Sequence, residues 1–475
     1  ARSSAAVLDD SAATREAVRL ICRRVDGLPL AIELAAARVR VLGLTQLDAI
    51  LTQPLRALSA APRRSSPPQR SLRDSITWSY ELCDPEERLA WEALSVFAGS
   101  FDLAAASAVL RQVADREPVE LIEALVARSI LTTTPEGATR YRMLVVLREY
   151  GREQLRVRGV EQQVREAHAG WYAHIGAELE ANWVGPGQGE RLRHAEIELP
   201  NIREAAQFAL AADRPELLAG LVVQPAAQLW WTTGRLDEGL YWLRRVLAVH
   251  HRPDAVRIHA LIQASTFALV LGALDEGEAL ARELADRARG SGDAFWLGAT
   301  AFVEGFAAIQ RRDYRAAVDI LRGGVRIGDG HDDLLRMRLR NRQMLAFALN
   351  AVRRDAEAAQ VCDEILTLGT AAGDAYYCAF ANQLHALYAW RNNDPRAARS
   401  RATSALKTSL DFPNRPENVD LLLICALIEE RWGDRTRAAA LLAAADATDR
   451  VGLRPATLGA QDVAERVLVA GALHM

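Results

Sequence analysis

Lysine is all but missing from this chain of 475 residues: of its 58 basic side chains, only Lys407 is a lysine. A phosphate-cradling loop of the form G-x-x-x-x-G-K-S/T depends on that residue type. Lys407 stands in Ser404-Ala405-Leu406-Lys407-Thr408 with no glycine before it, so the chain carries no P-loop of its own. Aromatics are scarce too, at 6 %, which speaks against a β-sandwich. The five cysteines (Cys22, Cys83, Cys362, Cys378, Cys425) are odd in number and form no C-x-x-C pair, as expected of reduced thiols in a cytoplasmic protein. The longest apolar runs, such as Leu421 to Ile428, fall far short of the ~20 residues that span a bilayer, and no basic-then-apolar leader opens the chain. The nine histidines form no H-E-x-x-H or Cys/His cluster, and no G-x-S-x-G elbow is present, so no catalytic or metal-ligating residue is named. A net charge of −3 gives no general attraction to polyanions.

What is abundant is alanine, with 86 copies inside a hydrophobic fraction of 50 %. Alanine costs least in a helix and lets helix axes approach closely, so the expected fold is mainly α. Residues 1–60 read as short helices: Asp10 or Ser11 caps the first, Gly27 stops it, Pro29 opens the next, Gly43 ends that one, and Thr45 caps a third. Residues 61–70 hold three prolines and two serines and read as a linker. From there to residue 158 the pattern is four helices, a β-hairpin (residues 130–134 and 139–143) and a closing helix, a winged-helix-like order. Asp84-Pro85-Glu86-Glu87 is its sharpest helix start, opening a helix that carries Leu89, Trp91, Leu94 and Phe97 and stops at Gly99. Residues 159–215 are helical with a glycine-rich break at 185–189.

Beyond residue 216 the chain repeats itself. A polar turn with an aspartate precedes an alanine-rich helix six times, at Asp237, Asp275, Asp313, Asp355, Asp394 and Asp434. By subtraction the spacings are 38, 38, 42, 39 and 40 residues, and a Gly or Ala follows each aspartate within four positions. Such periodicity is the signature of stacked helical hairpins, with small residues where the helices cross, continuing to a last helix over residues 457–475. The expected architecture is a helical domain (1–60), a winged-helix domain (61–158), a helical linker (159–215) and a tetratricopeptide-like α-solenoid (216–475).

Three local patterns resemble one family. Val25-Asp26-Gly27-Leu28-Pro29-Leu30 resembles the GLPL motif of NB-ARC-type STAND signalling ATPases. Ser71 to Tyr80 with Leu94 to Phe101, and Tyr141 to Tyr150, resemble the start and end of their winged-helix domain. The repeats are similar to the arrays behind these modules in bacterial regulators of the LuxR and antibiotic-regulator kind. The resemblance implies a switch in which an upstream P-loop domain holds ATP or ADP, the repeats sense a protein or small-molecule ligand, and DNA is reached only through a separate effector. It places Gly27, Leu28, Pro29 and Leu30 against the adenine in the full-length protein. A C-cap glycine and a first-turn proline account for the same letters without any ligand. Three departures stand out: no P-loop domain, Met143-Leu144-Val145 where the family often has a Met-His-Asp sensor, and no effector evident after residue 450. A chain that begins at Ala1 also reads as a piece of something longer, and by itself it is expected to be no enzyme and to hold no cofactor.

Two other classes compete with this reading: a stand-alone helical-repeat scaffold for protein interaction, and a winged-helix DNA binder. Residues 61–158 balance 14 arginines with 14 acids, and the helix before the hairpin carries Glu120 and Glu123, which argues against direct DNA contact. Trp230, Trp231, Tyr241 and Trp242 read mostly as solenoid core. His250, His251 and His259 read as solvated or capping, and the run Arg336, Arg338, Arg340, Arg342 most simply as a solvated face, although alternating positions spread around a helix, so some of these must snorkel or pair.

Overall fold

The computed structural model describes residues 11–26, 29–51, 72–134, 139–252, 254–412 and 417–448. Gly27, Leu28, the 61–70 linker, the hairpin turn and the 457–475 segment lie outside the described residues, as do the side chains of Pro29 and Leu30. The chain is mainly α with a single two-stranded sheet among the described residues. It divides into one unit of residues 1–172 and 198–212 and another of 173–197 and 213–475. Among the described residues, no helix is long and apolar enough to cross a membrane.

The first unit opens with α1 (Ala12–Arg24) and α2 (Pro29–Ile50). Ser11 caps α1 by accepting from the Thr14 N–H at 3.2 Å, and α2 is broken at Gly43, whose φ of 69° only glycine adopts freely. Then come α3 (Leu72–Glu81), α4 (Pro85–Leu94), α5 (Leu103–Leu110), α6 (Pro118–Ala127), β1 (Leu131–Thr134), β2 (Arg140–Met143) and α7 (Val145–Arg158). Asp84 and Glu87 form a reciprocal capping box at the start of α4, both bonds at 2.8 Å. The strands pair antiparallel with Leu131 opposite Met143.

Helix α4 stops three residues before Phe97. Arg152 donates to the carbonyls of Ser95 (3.0 Å) and Val96 (3.1 Å), and Arg148 donates to that of Ala98 at 2.6 Å. These guanidinium groups satisfy the carbonyls that a continuing helix would have used. The bent segment lets Phe97 stack on Phe101, with centroids 4.2 Å apart, in a core that includes the fully buried Trp91. Glu92, 1 % exposed, is held by Arg158 at 2.5 and 2.7 Å and by the Tyr80 hydroxyl.

The second unit is an α-solenoid. Helix α8 (Glu161–Ala181) leads into it, with α9 (Gln188–Ile197) and α11 (Pro215–Val222), while α10 (Leu199–Ala211) belongs to the first unit. Antiparallel pairs follow: α13 (Ala255–Val270) with α14 (Leu274–Ser291), α15 (Ala294–Gln310) with α16 (Tyr314–Asp329), α17 (Leu335–Ala351) with α18 (Asp355–Ala372), α19 (Tyr376–Arg391) with α20 (Pro395–Ser409), and α21 (Asn418–Trp432) with α22 (Arg435–Thr448). Helix α12 (Leu236–Val249) is the outer member of a first pair whose inner member is a short π-helical turn, Ala226–Trp230. Outer helices show one buried stripe, as in Ala281, Leu284, Ala285 and Ala288 of α14.

Five of the six turns inside these pairs share one geometry; the turn from α21 to α22 differs, with Gly433 at φ −134° and the Asp434 N–H bonded to the Glu429 side chain. A left-handed residue ends the inner helix at Gly234, Gly272, Arg312, Arg353 and Asn393, 38, 40, 41 and 40 residues apart by subtraction. The next N–H in each case reaches the carbonyl five residues back: Arg235 to Trp230, Ala273 to Ala268, Asp313 to Ala308, Arg354 to Leu349, Asp394 to Ala389, all at 2.9–3.0 Å. That is the Schellman closure. A small residue always stands five positions after the left-handed one: Gly239, Gly277, Ala317, Ala358 and Ala398. Where it is glycine the reason is direct, since a Cβ on Gly277 would lie 2.6 Å from Leu269. The register of the array is therefore set by this pair of positions. The aspartates drift around it, from N-cap (Asp313, Asp394) to inside the first turn (Asp237, Asp275).

Candidate functional site

The inner helices α13, α15, α17 and α19 leave a cavity of about 60 Å³ in the second unit. At ~10–15 Å³ for each water, that is room for roughly four waters or one small polar group with a short apolar body. Its walls come from the inner helices of successive pairs: Gln263 and Thr266, then Phe302 and Phe306, then Arg336, Arg340 and Gln343, then Tyr376 and Tyr377. Trp183, Trp231, Met344 and Glu417 complete the lining.

The two arginines differ. Arg336 is paired with Glu180 of α8, whose carboxylate also accepts from Gln228 at 2.8 Å. Burial pushes the Glu180 carboxyl up, yet the Arg336 charge outweighs it and holds the group below its ordinary value. Arg340 has no carboxylate within ion-pair distance among the described residues. Its guanidinium carbon sits 3.9 Å from the centroid of the Phe302 ring. Burial, with the like charge of Arg336 behind it, pulls the Arg340 guanidinium down to about 10. Stacking on an aromatic face offsets part of that cost, by about 0.5–2 kcal/mol. Beside these, Gln263 is only 7 % exposed and its Oε1 has no hydrogen-bond partner. Tyr376 is anchored otherwise, donating its hydroxyl to Glu417 at 3.0 Å.

The arginine run of α17 is thus no solvated face, and the correction has a simple geometric cause. Residues two apart on a helix lie about 200° apart, so an alternating run splits onto opposite sides. Arg336 and Arg340 line the cavity with Gln343 and Met344. Arg338 and Arg342 point elsewhere, to Asp332 at 2.9 Å and to Asp329 and Glu364 at 2.5 and 2.9 Å. The tryptophan cluster divides similarly: Trp230 and Trp242 are core, Trp231 faces the cavity, and Tyr241 is 44 % exposed beneath the Arg245 guanidinium. His251 is solvated, but His250 is 3 % exposed and bonded to Asp254, the cap of α13. His259 packs edge-on against Phe295, and burial lowers its pKa.

Of the GLPL residues, Pro29 and Leu30 open α2 and Gly27 and Leu28 lie outside the described residues. The residue before them is informative. Asp26 sits in the left-handed region at φ 53°, and its carboxylate accepts from the Val145 N–H at 2.5 Å and from Arg142 at 2.9 Å. A carboxylate thus already occupies the first N–H of α7, where the helix dipole favours negative charge. All five cysteines are free thiols.

No family model matches the chain. Over 294 residues it is 34 % identical to a Mycobacterium tuberculosis protein that carries the provisional name HTH-type transcriptional regulator, the match covering 57 % of this chain and 33 % of that one. A Mycobacterium bovis protein of the same provisional name matches equally. An uncharacterized M. bovis protein is 36 % identical over 158 residues, 32 % of this chain and 39 % of its own. The chain spans about a third of the length of the regulators it matches. Among solved structures, a Pyrococcus horikoshii STAND protein with a tetratricopeptide repeat sensor is similar at TM-score 0.44 and 13 % identity, covering 89 % of this chain and 70 % of that one. The Bacillus subtilis aspartyl phosphate phosphatase F is similar at TM-score 0.45 and 11 % identity, covering 94 % and 96 %.

Proposed function

We propose that this chain is the regulatory and sensory portion of a STAND-type ATPase transcriptional regulator, acting in the cytoplasm. In this reading the solenoid receives a protein or small-molecule signal, and the first unit passes it to an upstream P-loop domain that exchanges ATP for ADP. DNA is met through a separate effector. The observation that carries the reading is that one chain joins a GLPL-like segment and a hairpin-bearing helical unit to a repeat unit with a polar cavity on its inner helices. The relatives named as transcriptional regulators, of which this chain matches a part, support the same assignment.

The residues here do not fit a phosphate site on their own. The single lysine lies on α20 in the repeat unit, Leu144 stands where a sensor imidazole would be, and Asp26 already holds the start of α7. In this reading the chain alone is no ATPase, and Gly27, Leu28, Pro29 and Leu30 contribute an apolar contact to adenine held by another domain.

Reading the coding sequence upstream of Ala1 tests this. A strand, a G-x-x-x-x-G-K-S/T loop and a helix within roughly 300 residues is expected, since that domain must precede GLPL. A start codon close to Ala1 with no such loop would sink the proposal and leave a helical-repeat scaffold.

A further inference from the structure

We propose that the cavity of the repeat unit is a receptor site for a small monoanionic ligand, a carboxylate on a short body of a few carbons, with Arg340 as its anion-binding residue. This deepens the sensor reading by naming the chemistry of the signal.

The charge pattern selects an anion. Aromatic walls of Phe302, Trp231 and Tyr377 would by themselves suit a cation over their π-faces. Two guanidinium groups line the same space against one carboxylate, Glu417, which accepts from the Tyr376 hydroxyl at 3.0 Å, and that balance disfavours a cation beside Arg340. Glu180 answers Arg336 and leaves Arg340 as the cation without a counter-charge at ion-pair distance among the described residues. Burial and the neighbouring charge of Arg336 disfavour the Arg340 cation, and an incoming carboxylate relieves both terms at once. Guanidinium geometry matches a carboxylate through two parallel bonds, which an ammonium cannot offer. Gln263 supplies the second polar group. Its side-chain amide is more than nine-tenths buried, lines the cavity and leaves its Oε1 without a partner. That oxygen accepts, so it answers a hydroxyl or N–H donor on the ligand's body, while the carboxylate is left to Arg340. Size limits the ligand: about 60 Å³, room for roughly four waters, admits a carboxylate with a few carbons, not an aromatic ring or a folded protein segment.

The test uses the full 475-residue chain with propionate and with propionamide, which has the same shape without the charge. Trp231 and Trp183 line the cavity and report occupancy by fluorescence. Propionate is expected to change that fluorescence saturably at millimolar concentration or below, and propionamide to bind at least tenfold more weakly. Arg340→Met should weaken propionate at least tenfold while leaving propionamide unchanged, and Arg340→Lys should fall between. Arg340 holds no ion pair among the described residues, so its replacement strands no buried carboxylate. Circular dichroism and thermal unfolding of each variant establish that the fold is kept. Equal binding of acid and amide, undiminished binding by folded Arg340→Met, or no propionate binding up to 10 mM would each overturn the proposal. Binding to this chain is independent of any P-loop domain. A site confirmed here alongside an upstream sequence without a P-loop would leave the receptor site standing and the ATPase-sensor reading refuted.

Discussion

Lowering the pH from 7 to 5 should cost the folded chain about 2 kcal/mol through His168 alone. The imidazole is 2 % exposed, its Nε2 has no hydrogen-bond partner, and it sits edge-on between Phe97 and Tyr172, each 4.9 Å away. Burial, reinforced by the charges of Arg152 and Arg165, lowers its pKa to about 3. An unfolded chain returns the group to about 6.5. The sign follows: below pH 6.5 the unfolded state binds a proton that the folded state refuses, so stability falls as the pH falls, until the folded group itself titrates near 3. The slope approaches about 1.4 kcal/mol per pH unit, giving about 2 kcal/mol at pH 5 relative to pH 7. Urea unfolding of wild type and His168→Phe at both pH values isolates this contribution, because the other titrating groups are common to both proteins. The variant should lose about 2 kcal/mol less than wild type over that interval. His168→Leu, smaller than phenylalanine, guards against a packing artefact. An equal loss in wild type and both variants, or an NMR titration of the His168 ring with a midpoint near 6.5, would refute the reasoning.

Adjacent glycines of α16 should respond in opposite directions. Gly323→Ala meets nothing within 4 Å and should raise stability by about 0.5–1 kcal/mol, whereas a Cβ on Gly324 would lie 2.5 Å from Asn341 and 2.9 Å from Ala301, so Gly324→Ala should lower it by about 1–3 kcal/mol; thermal melts distinguish them. Arg312→Gly, at φ 62°, should relieve a left-handed strain and raise the melting temperature by the equivalent of about 0.5–1 kcal/mol. Glu92→Gln should cost about 1–3 kcal/mol in chemical denaturation, less than a wholly buried pair would lose, because the Arg158 side chain is 40 % exposed and can rehydrate.

The repeats were legible because each one spells its own turn. A polar segment closes a helix, a small residue follows, and nothing distant is needed. The same holds for Asp84 to Glu87, where a cap, a first-turn proline and acids stand side by side, and for the short strands around the hairpin. What was hidden depends on partners far along the chain. The early end of α4 is imposed by Arg148 and Arg152, some 50 residues later. Left-handed Arg312 and Arg353 carry no glycine to announce them. Gln263, Phe302, Arg340 and Tyr377 are separated by 39, 38 and 37 residues by subtraction, so no local window shows that they meet around one cavity. The alternation of the arginine run does show that its members spread around a helix and that some must pair; that Arg336 and Arg340 face a cavity depends on residues of neighbouring pairs.

The fixed five-residue offset between turn residue and crossing residue also governs how such a chain can change its length. Deleting one residue between Arg312 and Ala317 would swing the small residue about 100° around its helix and set a bulkier neighbour into the crossing. Removing or duplicating a whole unit of roughly 40 residues would leave every crossing intact. The array is therefore free to grow or shrink by units and closed to single insertions within them. The cavity has no such freedom. It draws its walls from Trp183 and Trp231, through the inner helices α13 to α19, to Glu417, so the whole stretch from 183 to 417 must be inherited as a block.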